Sequence, residues 1–241
     1  MNQPEYQNSY RVGLKRGLPI ALGYLSVSFG FGISVVSGGL QAIWAVLISM
    51  TNLTSAGQVA GVAVILAHGP LVEMILTELV INLRYSLMGI ALSQKLGRFP
   101  LFHRLLMAFG ITDEVFAVAI AEPGSLGPKY FYGLMTLPYI GWAAGTALGA
   151  LAGDILPAAV TGALGIAIYS MFVAIVVPEA RDDRGILFTV LIACTLSCLL
   201  TYLPCFSFMT RGFSIILCAV VAAVVMALVR PVADDPEEVT A

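Results

Sequence analysis

From Gly17 to Arg230 the chain is a succession of apolar runs of about 17–22 residues, divided by short charged or Pro/Gly-rich breaks. About 20 apolar residues in a helix cross the hydrocarbon of a bilayer. The runs are continuous, without the alternation of lipid-facing β-strands, which argues against a barrel. A water-soluble fold of this length could not cover its surface, because only 11% of its residues are charged and 59% are hydrophobic. Soluble domains carry about 25% charged residues. The expected fold is therefore an all-α polytopic membrane protein.

The breaks place helices at about 17–38, 41–67, 70–92, 104–122, 130–152, 157–177, 186–203 and 212–230. This gives about seven to eight transmembrane segments. The first run is longer than a signal-peptide core and lacks an A-x-A-like site, so it reads as a span. The expected division is a polar cytoplasmic N-terminus (1–16), a transmembrane domain (17–230), which the polar residues discussed below suit to a transporter, and an acidic tail (231–241). Cys194, Cys198, Cys205 and Cys218 read as small packing residues. No metal ligand set, cofactor motif or nucleic-acid partner is expected.

The second segment does not read as a simple span. Its middle holds Ser49, Thr51, Asn52, Thr54, Ser55, Gly57 and Gln58. Polar, irregular backbone at membrane depth is tolerated where it is buried in protein or lines a cavity. Thr54 or Ser55 suits the N-cap of a new half-helix beginning near Ala56. At least one discontinuous or re-entrant helix is thus expected. Charge adds a puzzle. Arg11, Lys15 and Arg16 put the N-terminus in the cytoplasm. Eight simple crossings would put Lys95, Arg98 and Arg104 outside, against the positive-inside rule. A re-entrant hairpin with its tip near 51–57 returns that loop inside but sends Arg181 and Arg184 outside. The topology stays open at this point.

Ionisable groups inside spans are costly and default to functional hypotheses. Glu73, Glu78, Asn82 and Arg84 lie in the third helix, with Glu78 and Asn82 on one face. Thr112, Asp113 and Glu114 fall about ten residues into the fourth, and Asp154 at a helix end. Adjacent acids diverge by about 100° on a helix. Asp113 and Glu114 cannot face one point unless the helix breaks there. One acid is expected to meet Arg84 and the other a cavity; the plainer reading is a neutralised pair that fixes packing. Gly141, Gly145, Gly149 and Gly153 form a four-residue ladder that admits close helix approach. Trp142 and Tyr139 beside it either line a cavity or anchor an interface. His68 and His103 sit at loop edges.

A carrier of zwitterions needs half-helix N-termini for a carboxylate, a membrane acid for an ammonium or a proton, and an apolar pocket. The 52–58 break, the Asp113/Glu114 pair and abundant aliphatic residues offer these parts. H-E-x-x-H and G-x-S-x-G are absent, which disfavours an enzyme. A channel or a structural membrane subunit without transport activity is the alternative.

Several stretches resemble the AzlC family, the large subunit of branched-chain amino acid exporters. They are Gly17-Leu18-Pro19 with Phe29-Gly30-Phe31-Gly32, Thr54 to Gln58, Ile81 to Gly89, Thr112-Asp113-Glu114, Trp142 to Gly153 and Val177-Pro178-Glu179. The resemblance runs from about Arg16 to Arg230. It implies export of branched-chain or related apolar amino acids across the cytoplasmic (inner) membrane, beside a small AzlD-type membrane subunit. On that reading Asn52, Thr54, Ser55, Gly57 and Gln58 receive the substrate carboxylate, with Trp142 at the pocket. Asp113 or Glu114 handles the ammonium or a coupled proton. Asn82 and Arg84 hold the site together, and the glycine ladder meets a moving or partner helix.

Overall fold

A computed structural model describes residues 8–97, 99–152, 173, 176–206 and 208–230. The Gly153 end of the ladder, Asp154, Arg98 and nearly all of the helix expected at 157–177 lie outside the described residues. Apart from an isolated bridge between Leu96 and Leu126, the described secondary structure is helical. The all-α membrane class holds. The helices are α1 (Tyr10–Ser37), α2 (Ala42–Thr51), α3 (Ser55–Leu66), α4 (Leu71–Lys95), α5 (Leu101–Phe109), α6 (Asp113–Ala121), α7 (Pro128–Ala152), α8 (Arg184–Tyr202) and α9 (Arg211–Val229). Residues 176–182 are helical as well. Among the described residues, five helices are long and apolar enough to cross a membrane: α1, α4, α7, α8 and α9.

The other four form two hairpins, each dipping into the layer and returning to the face it left. Helices α2 and α3 have 10 and 12 residues, which at about 1.5 Å per residue reach roughly half of a 30 Å hydrocarbon layer. The first hairpin begins beyond the C-terminal end of α1 and comes back to it. An added Cβ at Gly38 would lie 2.6 Å from the Leu66 side chain, at the end of α3. Ala45 and Ile48 of α2 pack in one cluster with Val59 and Val62 of α3. The second hairpin does the same at the other face. Leu126 N–H, beyond α6, donates to Lys95 O at the end of α4 (3.2 Å). Lys95 Nζ also bonds the Ile120 and Glu122 carbonyls. The fourth expected helix (104–122) is therefore two helices broken at 110–112. Gly110 ends α5, and Thr112 turns extended (φ −128°, ψ 169°) before α6 starts.

The two halves share one plan. Ser37 and Lys95 end α1 and α4, Thr51 and Phe109 end α2 and α5, and Thr54 and Thr112 precede α3 and α6, each pair 58 positions apart. Helix α3 runs parallel to α1 and antiparallel to α4, since Gly57 faces Asn82 and Gly61 faces Met74. The repeats, a long helix followed by a hairpin, are thus inverted relative to one another, an arrangement that several carriers use.

Two re-entrant hairpins resolve the charge puzzle. Helix α4 ends at the face where α1 begins, because Glu122, beside Lys95, pairs with Arg16 (3.3 Å). Helix α9 begins at the opposite face, where Gly212 N–H meets Glu73 near the start of α4 (2.8 Å). It ends with Arg230 against Asp183, 3.5 Å away, at the start of α8. Arg11, Lys15, Arg16, Lys95, Arg104, Lys129, Arg181, Arg184 and Arg230 consequently share one face. Arg181 and Arg184, which a single hairpin would have sent outside, satisfy the positive-inside rule once the second hairpin is counted.

The core of the bundle is the parallel pair α1 and α7. Gly141, Gly145 and Gly149 press directly on the backbone of Ala21, Leu25 and Phe29. A Cβ at Gly141 would stand 2.6 Å from Ala21 O. The ladder is filled by α1, and the small-residue face serves close backbone approach.

Candidate functional site

The hairpin tips enter from opposite faces and meet at mid-depth, flanked by the middles of α1, α4 and α7. The cavity there is lined by Leu53 and Ser55 from the first tip, Thr112, Asp113 and Glu114 from the second, and Tyr24, Tyr85 and Trp142 from the long helices. It gives the centre of a water molecule about 10 Å³ to occupy, space for about one water. The tips are closed on each other.

The two half-helix starts differ in kind. At α6, the Thr112 hydroxyl accepts from Val115 N–H (3.3 Å), and Asp113 and Glu114 occupy the first turn. This start carries its own cap and anions, which satisfy its N–H groups and dipole. At α3 there is no acid in the first turn, and the Thr54 side chain makes no capping bond. That start is bare of any cap or acid of its own, and the carboxylate beside it is that of Glu78 on α4, whose Oε2 would lie 2.6 Å from a Cβ at Gly57. Asn52 to Thr54 are extended at the break, Asn52 with φ −132° and ψ 94°.

The two adjacent acids separate as a helix start allows. Asp113 Oδ2 lies 2.8 Å from Arg84 Nη1. Glu114 turns the other way and hydrogen-bonds the Tyr24 hydroxyl, which also bonds Thr112 Oγ1 (2.7 Å). Tyr24 stands edge-on to Trp142, with centroids 5.0 Å apart. Trp142 Nε1–H donates to Gln58 Oε1 (3.0 Å), and Gln58 Nε2 donates back to the Ile48 and Asn52 carbonyls. Gln58 is 1% exposed. It ties α2, the tip and α3 together and anchors them to α7. Ser49 with Thr146 (2.7 Å) and Tyr139 OH with Met50 O (3.1 Å) add two further ties between α2 and α7.

Among the expected site residues, Ser55, Asp113, Glu114 and Trp142 are brought to the cavity wall. Thr54 is buried at the tip, and Gln58 forms the wall behind Trp142. Asn52 and Gly57 lie on the far flank of the first hairpin, toward α4. Asn82 joins them there, its Nδ2 2.8 Å from Glu78 Oε2. Arg84 pairs with an acid as expected. Tyr24 and Tyr85, which the sequence reading left without a role, complete the cavity. A tyrosine in an apolar run gives no signal of its own; only the ladder's partner face would have pointed to Tyr24. His103 Nδ1 bonds Tyr132 OH (2.5 Å) away from the cavity.

A family model described as AzlC protein matches residues 19–156, which contain the greater part of α1, all of α2 to α7 and every residue lining the central cavity. An uncharacterized membrane protein of Archaeoglobus fulgidus is 34% identical over 175 residues, 71% of this chain and 76% of that protein. Inner membrane protein YgaZ of Escherichia coli is 28% identical, over 75% of this chain and 77% of its own length. The branched-chain amino acid transport protein AzlC of Bacillus subtilis is 25% identical, over 73% and 70%. No solved structure matches the chain.

Proposed function

The chain belongs to the AzlC family, and from that premise we propose that it exports branched-chain or related apolar amino acids across the cytoplasmic membrane, paired with a small AzlD-type subunit. The relative named for branched-chain amino acid transport supports the substrate class. The relative named for the inner membrane supports the location, with the basic face toward the cytoplasm.

One observation carries the mechanism: two oppositely inserted hairpins meet at mid-membrane, one with a bare helix start and one with an acidic start. A zwitterion needs that polarity. Ser55 and the free N–H groups of the α3 start receive the carboxylate, helped by the helix dipole. Asp113 or Glu114 receives the ammonium, or a proton that drives the cycle. Arg84 offsets one of the two acids, so the second is the freer to exchange its partner. Glu114, held by the neutral Tyr24 hydroxyl, is that second acid. Withdrawing one hairpin opens the cavity to that hairpin's own face, and withdrawing the other opens it to the opposite face. The closed tips favour such a carrier over an open pore.

The test is efflux. Cells loaded with leucine or valine dipeptides should release the free amino acid faster when the chain and its small partner are expressed together. Unchanged efflux across leucine, valine, isoleucine and methionine would sink the substrate reading. Glu114→Gln should abolish efflux while leaving the amount of assembled protein unchanged.

A further inference from the structure

A second cavity flanks the first hairpin on the side away from the tips' meeting point. It measures about 220 Å³ and is lined by Thr51, Asn52, Gln58, Met74, Glu78 and Ile65 among others. It runs from the tip toward Ile65 and Met74, that is, toward the face opposite the basic one. Gln58 is shared: one side meets this cavity and the other holds Trp142 of the central one.

Glu78 is the feature that gives this cavity a chemistry. Its carboxylate reaches over α3 because Gly57 and Gly61 have no side chains. A Cβ would stand 2.6 Å from Oε2 at the first and 2.9 Å from Oε1 at the second. Among the described residues its one hydrogen-bond donor is the neutral amide of Asn82, whose own Oδ1 is buried and has no partner among them. Among the described residues the ion pairs are Arg16–Glu122, Arg84–Asp113 and Arg230–Asp183, so no cation pairs with Glu78. A membrane carboxylate without a counter-charge either holds a proton or is completed by a bound cation, and a carboxylate that lines a cavity is open to the second. Asn82 stands behind the cavity wall, and its amide donates to Glu78 Oε2 and so fixes the carboxylate that faces the cavity. Val62, Ile65, Met74 and Ile48 supply an apolar wall.

We propose that this cavity is a second binding subsite, in which Glu78, its carboxylate positioned by Asn82, holds the ammonium group of an apolar amino acid on the exit side of the central cavity. The proposal rests on the transport reading for its occupant. The central cavity in this closed form has room for about one water, whereas the flanking one has about 220 Å³. The substrate leaves the tips past Gln58 and rests with its amine on Glu78 and its side chain against Met74 and Ile65.

The test uses the full chain purified with its small partner, in lipid nanodiscs, and 3-methylbutylamine as probe: an ammonium and a leucine-like side chain without a carboxylate. Calorimetry should show that wild-type protein binds the amine and that Glu78→Gln weakens binding at least tenfold. No binding by wild type, or equal binding by Glu78→Gln, would overturn the subsite. Should Glu78→Gln fail to assemble, Ile65→Trp, which fills the cavity from its exposed rim, must give the same tenfold loss. Leucine efflux by wild type separates the two ideas. Efflux with amine binding indifferent to both substitutions removes the subsite alone. Absent efflux with Glu78-dependent amine binding removes the exporter reading and leaves the cation site standing.

Discussion

The Arg84 guanidinium of α4 lies 2.8 Å from the Asp113 carboxylate at the start of α6, joining a long helix to the tip of the hairpin that follows it. Both side chains are partly exposed, 39% and 28%, so the pair is not a sealed interior bridge. Removing one partner still leaves a lone charge at membrane depth, which costs more than removing both. Arg84→Gln and Asp113→Asn should each lower the thermal midpoint in detergent, and the double variant should lose less than the sum. The coupling should be on the order of 1 kcal/mol, as for residues in direct contact. Strict additivity would show that the contact does not hold the tip.

The interface of α1 and α7 should distinguish its glycines sharply. At Gly149 a Cβ would run into the Phe29 carbonyl, a backbone atom that cannot swing aside. Gly23, on the same helix pair, has nothing within 4 Å of an added Cβ. Gly149→Ala should destabilise by about 1–3 kcal/mol through overpacking. Gly23→Ala should stabilise by about 0.5–1 kcal/mol, since alanine loses less backbone entropy in a helix. Thermal unfolding followed by size-exclusion fluorescence reads both. Equal effects would mean that the helices do not approach as closely as described.

Much of this site was legible in the sequence, and the limits are physical. The first break was visible because Asn52, Thr54 and Ser55 put side-chain polarity where backbone polarity is also exposed. The second was masked by Phe109 and Ile111, which keep the run apolar across the break; only Gly110 and the adjacent acids marked it. The Arg84–Asp113 pairing followed from the cost of a lone charge in lipid. The 58-residue relation is hidden because few corresponding positions share a side chain: Thr54 matches Thr112, but Asn52 stands against Gly110 and Ser55 against Asp113. Tyr24 meets Thr112 and Glu114 through a contact that spans most of the first half of the chain, which no local pattern records. The glycine ladder marks a face for close helix approach, and α1 packs on it at Gly141, Gly145 and Gly149; the spacing alone does not say which helix that is.

Gln58 should prove the most sensitive uncharged residue of the first hairpin. Its amide satisfies the Trp142 N–H and the Ile48 and Asn52 carbonyls at once. Gln58→Leu strands all three, at about 1–3 kcal/mol for each group left without a partner. Trp142→Phe strands only the Gln58 carbonyl oxygen. The first variant should therefore lower the thermal midpoint more than the second, and leucine efflux should fall at least tenfold in it. A larger loss from Trp142→Phe would place the aromatic packing with Tyr24 above the hydrogen bonds in holding the tip.

The two-hairpin topology makes a prediction that simple crossings reverse. If both hairpins return to the face they leave, Leu96 and Gly185 lie on the face of Ser9, and His68 lies on the other. If both were full crossings, the end of α3 would emerge beside the start of α1, and His68 would share the face of Ser9. If only the first returned, Leu96 would stay with Ser9 while Gly185 moved across. Single cysteines at Ser9, His68, Leu96 and Gly185, in a background with Cys194, Cys198, Cys205 and Cys218 replaced by serine, separate the cases. A membrane-impermeant maleimide added to intact cells should label His68→Cys and none of the other three, whereas inverted vesicles should give the converse. Labelling of Gly185→Cys from outside would break the inverted relation between the halves. It would also remove the reason for two tips to meet at one depth, because only hairpins inserted from opposite faces bring a bare helix start and an acidic one to the same cavity.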